Sequence, residues 1–255
     1  MGGEVLVYAE DDVGYIIFNR PWKRNALTRA MWEALATGVF TYCSDSRVSS
    51  IIVYGEGGAF SAGDDIEEML GLGSVEEARR YFTAHREAFN AILRCSKPVI
   101  AAVEGPAMGG GAELLLAADI VVASRRSTIG FPEAKLGLIP PVLLTLGTYV
   151  LGYRRAKALA FTGAVLGAEE ARELGIVSLA SGPGMSLRMA QEIARMTSEM
   201  PSGSRAAIRS ISLEAISSIM VSMEHALDML AQLVVTEEAK RRMKSFLESR
   251  RSDGQ

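Results

Sequence analysis

The stretch KPVIAAVEGPAMGGGAELLLAADIVVAS, Lys97 to Ser124, contains most of the information about the fold. It begins with a short apolar run that has the length and β-branched content of a buried strand. Three glycines, 109 to 111, follow and open an apolar helix predicted over AELLLAA. A second buried strand, DIVVAS, comes directly afterwards. Buried strands joined by a helix are typical of a parallel sheet covered on both faces.

The same alternation continues towards the N-terminus. VLVYAE and VGYIIFN predict a hairpin of two strands, and SSIIVYGE predicts another strand. Thr28 is the predicted N-cap of a helix that precedes this third strand. Ser74 and Glu77 form a capping box that opens a long amphipathic helix ending at about Cys95. The order of elements predicts an α/β fold of repeated strand-and-helix units with several parallel strands.

From Pro141 onward the pattern is almost wholly helical, interrupted by GIVSLA and by a Gly-Pro-Gly turn at 182–184. This change predicts a core over residues 1–185 and a helical region over 186–255. Three helices are expected in that region, at roughly 186–200, 202–219 and 221–251. They are rich in Met, Ile and Leu and could pack on a neighbouring subunit as easily as on their own core.

Composition limits the partners. The chain has 255 residues, 49% of them apolar, and a formal net charge of −3, which gives no global field for a polyanion. Two cysteines, Cys43 and Cys95, cannot make a disulfide framework and lack zinc-site spacing, which fits a reducing compartment. The N-terminus lacks a signal-peptide pattern, and no run approaches eighteen apolar residues. We therefore expect a cytoplasmic protein with no metal, no membrane partner and no nucleic acid partner.

Two glycine-rich loops each follow a buried strand. The first contains AFSAGDD, Ala59 to Asp65, and the second contains GPAMGGGAE, Gly105 to Glu113. Open α/β sheets place ligand sites at such strand ends. Glycines let the backbone approach a ligand with free N–H groups, most effectively where a helix begins. Neither loop has the pattern of a Walker A or a dinucleotide-binding site. Either loop by itself is equally compatible with an ordinary turn.

Two carboxylates strengthen the case for a site. Glu113 lies in the first turn of the glycine-opened helix in apolar company, and Glu133 stands just beyond a strand beside Pro132. Free N–H groups can stabilise an oxyanion, and carboxylates can move protons or hold water. The alternative interpretation of Glu113 is a charge that stabilises the N-terminus of a helix, and that of Glu133 is an acid in a surface turn. His85 falls within a helical pattern and is interpreted as a packed or surface helix residue.

Five motifs resemble the crotonase superfamily of enoyl-CoA hydratases and isomerases. They are NRPWKRNALT, AFSAGDDIEEM, the Lys97–Ser124 stretch, GFPEAKLGLIP and RAKALAFTG with AEEARELGIV, in order over roughly residues 4–180. The resemblance implies a spiral of strand–strand–helix turns, a C-terminal helical trimerisation region and a homotrimer or dimer of trimers. It also implies an acyl-CoA thioester as substrate, with coenzyme A bound only as part of it and no metal or redox cofactor.

Carried over residue by residue, the resemblance assigns the site. The backbone N–H groups of Asp64 and Gly110 match the oxyanion hole, and Glu113 and Glu133 match the two catalytic glutamates of the hydratases. In that scheme Glu113 is ionised and accepts a proton from water, while Glu133 is protonated and delivers a proton to the α-carbon. Segments expected to contact CoA or the acyl group contain Lys23, Arg24, Ala26, Ala62, Asp65, Ile66 and Pro141.

One segment departs from the family. After LGLIP the hydratases usually continue with glycines and Thr-Gln-Arg, whereas this chain has PVLLTLGTYV. Pro141 lacks an N–H, and Leu143 and Leu144 add bulk that is expected to reshape the acyl pocket. The favoured function is 2-enoyl-CoA hydration. The alternatives are Δ3-Δ2-enoyl-CoA isomerisation, another crotonase-fold acyl-CoA reaction, and a non-catalytic RNA-binding relative that uses KRRMK with Arg250 and Arg251.

Overall fold

The computed structural model describes residues 3–252. The strands are β1 (Val5–Glu10), β2 (Val13–Phe18), β3 (Ser50–Gly55), β4 (Val99–Val103), β5 (Pro106–Met108), β6 (Ile120–Ser124), β7 (Thr128–Gly130), β8 (Val165–Gly167) and β9 (Leu179–Ser181). The helices are α1 (Arg29–Ser44), α2 (Ile66–Leu70), α3 (Val75–Arg94), α4 (Gly110–Ala117), α5 (Pro141–Leu144), α6 (Leu146–Leu151), α7 (Tyr153–Thr162), α8 (Ala168–Glu173), α9 (Ser186–Ser198), α10 (Ser202–Ala215), α11 (Ser217–Val234) and α12 (Glu237–Ser252).

The main sheet has six strands in the order β1-β2-β3-β4-β6-β9. β1 and β2 form the predicted antiparallel hairpin, and every later pair is parallel. β2 and β4 are buried along their whole length, as expected for strands covered on both faces. The α/β prediction is confirmed. Because β3 and β4 are parallel neighbours, the loops that follow them leave the sheet at the same edge.

A second sheet of three short strands, β5-β7-β8, was not predicted. Each strand has three residues, too few to show an alternating pattern in the sequence. An isolated bridge between Ser61 and Ala107 attaches the loop after β3 to β5. The small sheet therefore brings the two glycine-rich loops side by side.

Helix capping follows the sequence in the first half of the chain. The Thr28 hydroxyl accepts a hydrogen bond from the Met31 amide at 3.2 Å and caps α1. Ser74 accepts from the Glu77 amide at 3.2 Å, while the Glu77 carboxylate accepts from the Gly73 amide at 2.7 Å. These contacts confirm the predicted starts of α1 and α3, whose paired faces cover one side of the main sheet.

The C-terminal helices differ from the expectation. The helix expected over 221–251 is wrong, because α11 ends at Val234 and α12 begins at Glu237. The Thr236 hydroxyl accepts from the Ala239 amide at 3.3 Å and so caps the second helix. The expected helix over 202–219 also divides, into α10 and the start of α11. α9 packs on the other face of the main sheet through Ala190 and Ala194. The division at residue 185 stays a prediction.

A disulfide joins Cys43 at the end of α1 to Cys95, the residue after α3, with Cα atoms 5.5 Å apart. Sequence reasoning missed this bond, since two cysteines 52 positions apart gave no pattern to follow. They become neighbours only because α1 packs along α3. The bond therefore fixes the ends of these two helices to each other.

Within residues 3–252, no single helix is both long and apolar enough to cross a membrane. The consecutive helices α10 and α11 meet the same length and composition criteria only when taken together, across a bend of 59°.

Candidate active site

The first glycine-rich loop is held on the segment that precedes α1. The Leu27 amide donates to the Gly63 carbonyl at 2.8 Å, and the Asp65 amide donates to the Leu27 carbonyl at 2.9 Å. This parallel bridge leaves the intervening Asp64 amide with no hydrogen bond among the described residues. The Asp65 carboxylate then caps α2 by accepting from the amides of Glu67 and Glu68. The Asp64 N–H is thus a fixed and unused donor.

The second loop is held by the small sheet. The Met108 amide donates to the Ser61 carbonyl at 2.9 Å, and the Gly109 amide donates to the Gly130 carbonyl at 2.9 Å. Gly110 is the first residue of α4, so its N–H has no partner within the helix. A free N–H at a helix N-terminus attracts negative charge. The Gly110 amide also makes no hydrogen bond elsewhere in the described part of the chain, so the second predicted donor is fixed and unused as well.

The two loops touch through glycines. Gly63 and Gly109 have positive φ angles, +90° and +52°, which other residues adopt only with strain. A Cβ atom added to Gly63 would lie 2.8 Å from the Met108 carbonyl oxygen and 3.4 Å from the Gly109 Cα. Only glycine permits this approach. The structure therefore brings together the loops that contain the two predicted oxyanion donors, Asp64 and Gly110.

Glu113 is buried in the first turn of α4. Its Oε1 atom accepts hydrogen bonds from the amides of Val142, at 2.7 Å, and Leu143, at 2.9 Å. These amides belong to the first turn of α5, inside the segment that departs from the family. Burial raises the Glu113 pKa well above its ordinary value and the nearby Glu133 adds to this, whereas the two amides lower it. The amides stabilise the ionised form of the carboxylate.

Glu133 begins a short 3-10 turn after β7. Both of its carboxylate oxygens are buried and have no hydrogen-bond partner among the described residues. Burial raises the pKa of Glu133 to about 8, and the charge of Asp64 adds to the increase. The backbone amide of Glu133 itself lowers this pKa somewhat, but among the described residues only Glu113 accepts hydrogen bonds from two amides of another segment. When the two acids share one proton, we assign that proton to Glu133.

A third acid and a histidine belong to the same site, and sequence reasoning missed this arrangement. The Asp64 Oδ1 atom accepts from Trp32 Nε1 at 2.9 Å and contacts His85 Nε2 at 2.5 Å. His85 is buried, which agrees with the expectation of a packed helix residue. Its ring lies on the side of α3 that faces the first loop. A signal was available, because His85 stands four residues from both Tyr81 and Phe89 on the apolar face of α3.

The residues predicted to contact CoA lie close to this loop. Lys23, Arg24 and Ala62 are exposed, and the Ala62 amide donates to the Arg24 carbonyl at 2.9 Å. Lys23 pairs with Glu67, while Ala26 and Ile66 are half-buried. The Asp65 carboxylate is already used, by its capping bonds and by Arg20 at 2.5 Å. Their roles in CoA binding stay predictions.

Pro141 and the two leucines after it have different surroundings. Pro141 is buried as the first residue of α5, a position that suits proline. Leu143 is fully buried, and a Cβ on Gly147 would lie 2.9 Å from its Cδ1 atom. Leu144 instead lines an apolar cavity of about 320 Å³, together with Ala134 beside Glu133. Of the two leucines, only Leu144 is placed to change the shape of this cavity.

This arrangement can polarise a carbonyl oxygen between two amides and supply one proton acceptor and one proton donor nearby. Within residues 3–252, no group of three or more His, Cys, Asp or Glu side chains is arranged to hold a metal ion. The fold and the site together are those of an α/β enzyme in which two free backbone amides lie beside two buried acids.

Comparison with known proteins identifies the family. A family model described as enoyl-CoA hydratase/isomerase matches residues 9–254. A probable enoyl-CoA hydratase from Rhizobium meliloti is 32% identical over 255 residues, 98% of this chain and 96% of that protein. A short-chain-enoyl-CoA hydratase from Clostridium acetobutylicum is 30% identical over 253 residues, 98% of this chain and 97% of that protein.

Solved structures agree. The crystal structure of an enoyl-CoA hydratase/isomerase from Mycobacterium paratuberculosis matches with a TM-score of 0.89 and 26% identity, covering 96% of this chain and 99% of that one. The chain belongs to the enoyl-CoA hydratase/isomerase family. The resemblance seen in the five motifs, and the crotonase fold that it implied, are confirmed.

Proposed function

We propose that the protein is an enoyl-CoA hydratase that adds water across the 2,3 double bond of a 2-enoyl-CoA thioester. The observation that supports this most is the contrast between its two buried glutamates. Glu113 accepts from two amides of α5 on one oxygen, whereas neither carboxylate oxygen of Glu133 has a hydrogen-bond partner from another residue in the described part of the chain. Hydration needs an ionised base and a protonated acid at the same time, and this contrast favours such a division.

In the proposed mechanism, the thioester oxygen lies between the amides of Asp64 and Gly110. Glu113 accepts a proton from water as the water oxygen bonds to the β-carbon, and the double-bond electrons move onto the thioester oxygen. The two N–H groups stabilise the resulting enolate. When the enolate collapses, the α-carbon takes the proton of Glu133. One hydrogen and one hydroxyl have then been added, and a net proton transfer from Glu113 to Glu133 restores the enzyme.

The CoA part of the substrate is proposed to lie along the exposed strip of Lys23, Arg24 and Ala62. Two cationic side chains suit phosphate groups. The apolar cavity that Leu144 lines is proposed to take the acyl chain. Coenzyme A arrives as part of the substrate, and the proposed chemistry requires no further cofactor. Turnover is expected to survive dialysis against a metal chelator.

A homotrimer, or a dimer of trimers, is the proposed assembly. A cytoplasmic location is also proposed, and the Cys43–Cys95 disulfide is the observation that opposes it, because reducing compartments disfavour such bonds. Large apolar side chains on the outer helices support a subunit interface. Ile208 and Ile211 of α10 are 55% and 69% exposed, and Phe161 of α7 is 78% exposed. Light scattering should give three or six times the chain mass of 27.4 kDa. Alkylation of Cys43 and Cys95 in freshly lysed cells would report the redox state of their compartment.

The function is tested with a small panel of 2-enoyl-CoA and 3-enoyl-CoA thioesters, followed by product identification. We expect hydration of crotonyl-CoA to the 3-hydroxyacyl thioester. Glu113→Gln and Glu133→Gln should each lower kcat by roughly 10²–10⁴, the range for a lost general acid or base. CoA affinity should barely change in either variant, because neither carboxylate contacts the nucleotide in this proposal.

Isomerisation is the outcome that would overturn hydration. An isomerase needs one group to move a proton between two carbons, so Glu133→Gln would abolish its activity and Glu113→Gln would not. A wild-type enzyme that converts 3-enoyl-CoA rapidly and hydrates crotonyl-CoA negligibly would reject the proposed function. Glu76→Gln, on the exposed surface of α3, serves as the control for loss of one carboxylate.

A further inference from the structure

Asp64 contributes its side chain to the site as well as its backbone. A carboxylate directly beside an oxyanion hole opposes the negative charge that the hole must stabilise, so its presence requires a reason. A Cβ added to Gly110 would lie 3.0 Å from the Asp64 Oδ2 atom. The carboxylate therefore lies against the start of α4, next to the second oxyanion donor.

Two helices fix this carboxylate through the same oxygen. Trp32 of α1 and His85 of α3 both bond to Oδ1. A carboxylate oxygen only accepts, so the proton in the second bond is on His85 Nε2. The other ring nitrogen, Nδ1, is buried with no partner among the described residues. Within that part of the chain, His85 thus makes its one hydrogen bond to Asp64 and has no other polar role.

The second oxygen, Oδ2, has no hydrogen bond among the described residues, and the side chain is 15% exposed. The two carboxylates flank consecutive glycines: a Cβ added to Gly110 would lie 3.0 Å from Asp64 Oδ2, and a Cβ added to Gly109 would lie 3.4 Å from Glu133 Oε1. The charge of Asp64 therefore acts on buried groups at short range.

The pKa values of Glu113, Glu133 and Tyr81 are all raised. Burial is the largest cause in each case, and the negative charge of Asp64 adds to it. A fixed and poorly screened negative charge beside two acids opposes the ionisation of both.

We propose that Asp64, held by His85 and Trp32, is a positioning residue whose fixed negative charge keeps the proton on Glu133. This inference rests on the proposed function, in which Glu133 is the acid that protonates the α-carbon. The charge lowers the stability of the enolate to some extent. In exchange, it keeps Glu133 protonated up to a higher pH, and it moves the ionisation of Glu113 in the same direction.

The other charged groups near Glu133 are accounted for. Glu113 faces it from α4. On its own turn, Lys135 bonds to the Gly163 carbonyl at 2.9 Å. From α7, Lys157 bonds to the Tyr153 hydroxyl at 3.1 Å and lies over that ring. α12 packs on the same turn through Ala239, which lies against Gly137, and the next residue, Lys240, is half-buried.

The test compares pH profiles of kcat/KM for wild type and Asp64→Asn on crotonyl-CoA. Asparagine keeps an oxygen that can accept from Trp32 and His85 but has no charge. We expect a bell-shaped profile whose two limbs report the ionisation of Glu113 and Glu133. Losing the charge of Asp64 should move both limbs to lower pH, by about one unit. Damage to the fold would lower the curve without moving it.

A second variant and a control isolate the role of the network. His85→Phe removes one of the two bonds that position Asp64, so it should shift the profile in the same direction by a smaller amount. Glu76→Gln removes an equal charge from the exposed side of α3 and should leave the profile in place. Equal shifts in Glu76→Gln and Asp64→Asn would overturn the inference.

An activity-independent readout separates the inference from the proposed function. The infrared carbonyl band of a protonated carboxyl group, assigned by its loss in Glu133→Gln, follows the proton on Glu133 directly. In Asp64→Asn this band should disappear at lower pH than in wild type. An unmoved band would reject the role of Asp64 while leaving hydration intact. A shifted band in a protein that hydrates nothing would support the inference and reject the function.

Discussion

Replacing Gly63 with alanine should open the oxyanion hole without unfolding the protein. The new Cβ would lie 2.8 Å from the Met108 carbonyl oxygen, a backbone atom that cannot rotate away. Ordinary contact begins at 3.4 Å, so the two loops must separate by about 0.6 Å. Oxyanion donors act at 2.7–3.1 Å, and a misplacement of about 1 Å can cost 10²-fold in rate. We expect kcat on crotonyl-CoA to fall by roughly 10- to 100-fold.

The backbone strain of this change has a matched control. Gly152 has nearly the same φ angle as Gly63, +84° against +90°. A Cβ added at Gly152 meets nothing within 4 Å. Both alanine variants carry the cost of a positive φ, on the order of 1–2 kcal/mol, but only Gly63→Ala pushes on the second loop. Steady-state kinetics and thermal unfolding would be measured for both. Equal kcat values in the two variants would refute the argument that Gly63 sets the loop spacing.

Activity should fall as pH rises through about 8, because Glu133, whose pKa is raised to about 8, must be protonated to act as the acid; a pH profile of kcat/KM that stays flat to pH 10 would contradict this. Cys43→Ser with Cys95→Ser opens a loop of 52 residues, which corresponds to about 4 kcal/mol of stability and a Tm lower by roughly 8–16 °C. Calorimetry of the oxidised wild type and the double variant measures this difference. Leu144→Gly should favour bulkier acyl groups by roughly 10-fold or more in kcat/KM, whereas Leu143→Gly should mainly destabilise the core. Unchanged chain-length preference in Leu144→Gly would place the acyl group elsewhere.

The sequence was most informative where local chemistry determines local structure. Apolar β-branched runs marked the main strands, and Thr28 and Ser74 marked helix starts through short-range hydrogen bonds. The glycine loops were placed correctly because parallel strands end at one edge of a sheet. These inferences need no knowledge of distant contacts.

What the sequence could not show depends on contacts between distant segments. The strands of the small sheet have only three residues each, which is too short for a sequence pattern. Their position depends on contacts such as the bridge between Ser61 and Ala107. His85 meets Asp64 only because α3 packs beside the first loop, and Cys43 meets Cys95 for a similar reason. Thr236 caps α12 where it follows α11. A single threonine inside a helical sequence pattern does not by itself indicate that a helix ends there. Sequence reasoning therefore assigned Asp64 a backbone role alone.

The two amides that hold Glu113 have a consequence for engineering this enzyme. They come from Val142 and Leu143, next to Leu144 on the cavity wall, so three consecutive residues of α5 both line a cavity and hold the carboxylate that we propose activates water. A loop transplanted from a relative to change acyl preference would also replace the support of this carboxylate. Selectivity and turnover should then vary together in such chimaeras. A designer who wants to change one alone should alter side chains at Leu144 and leave the α5 backbone as it is.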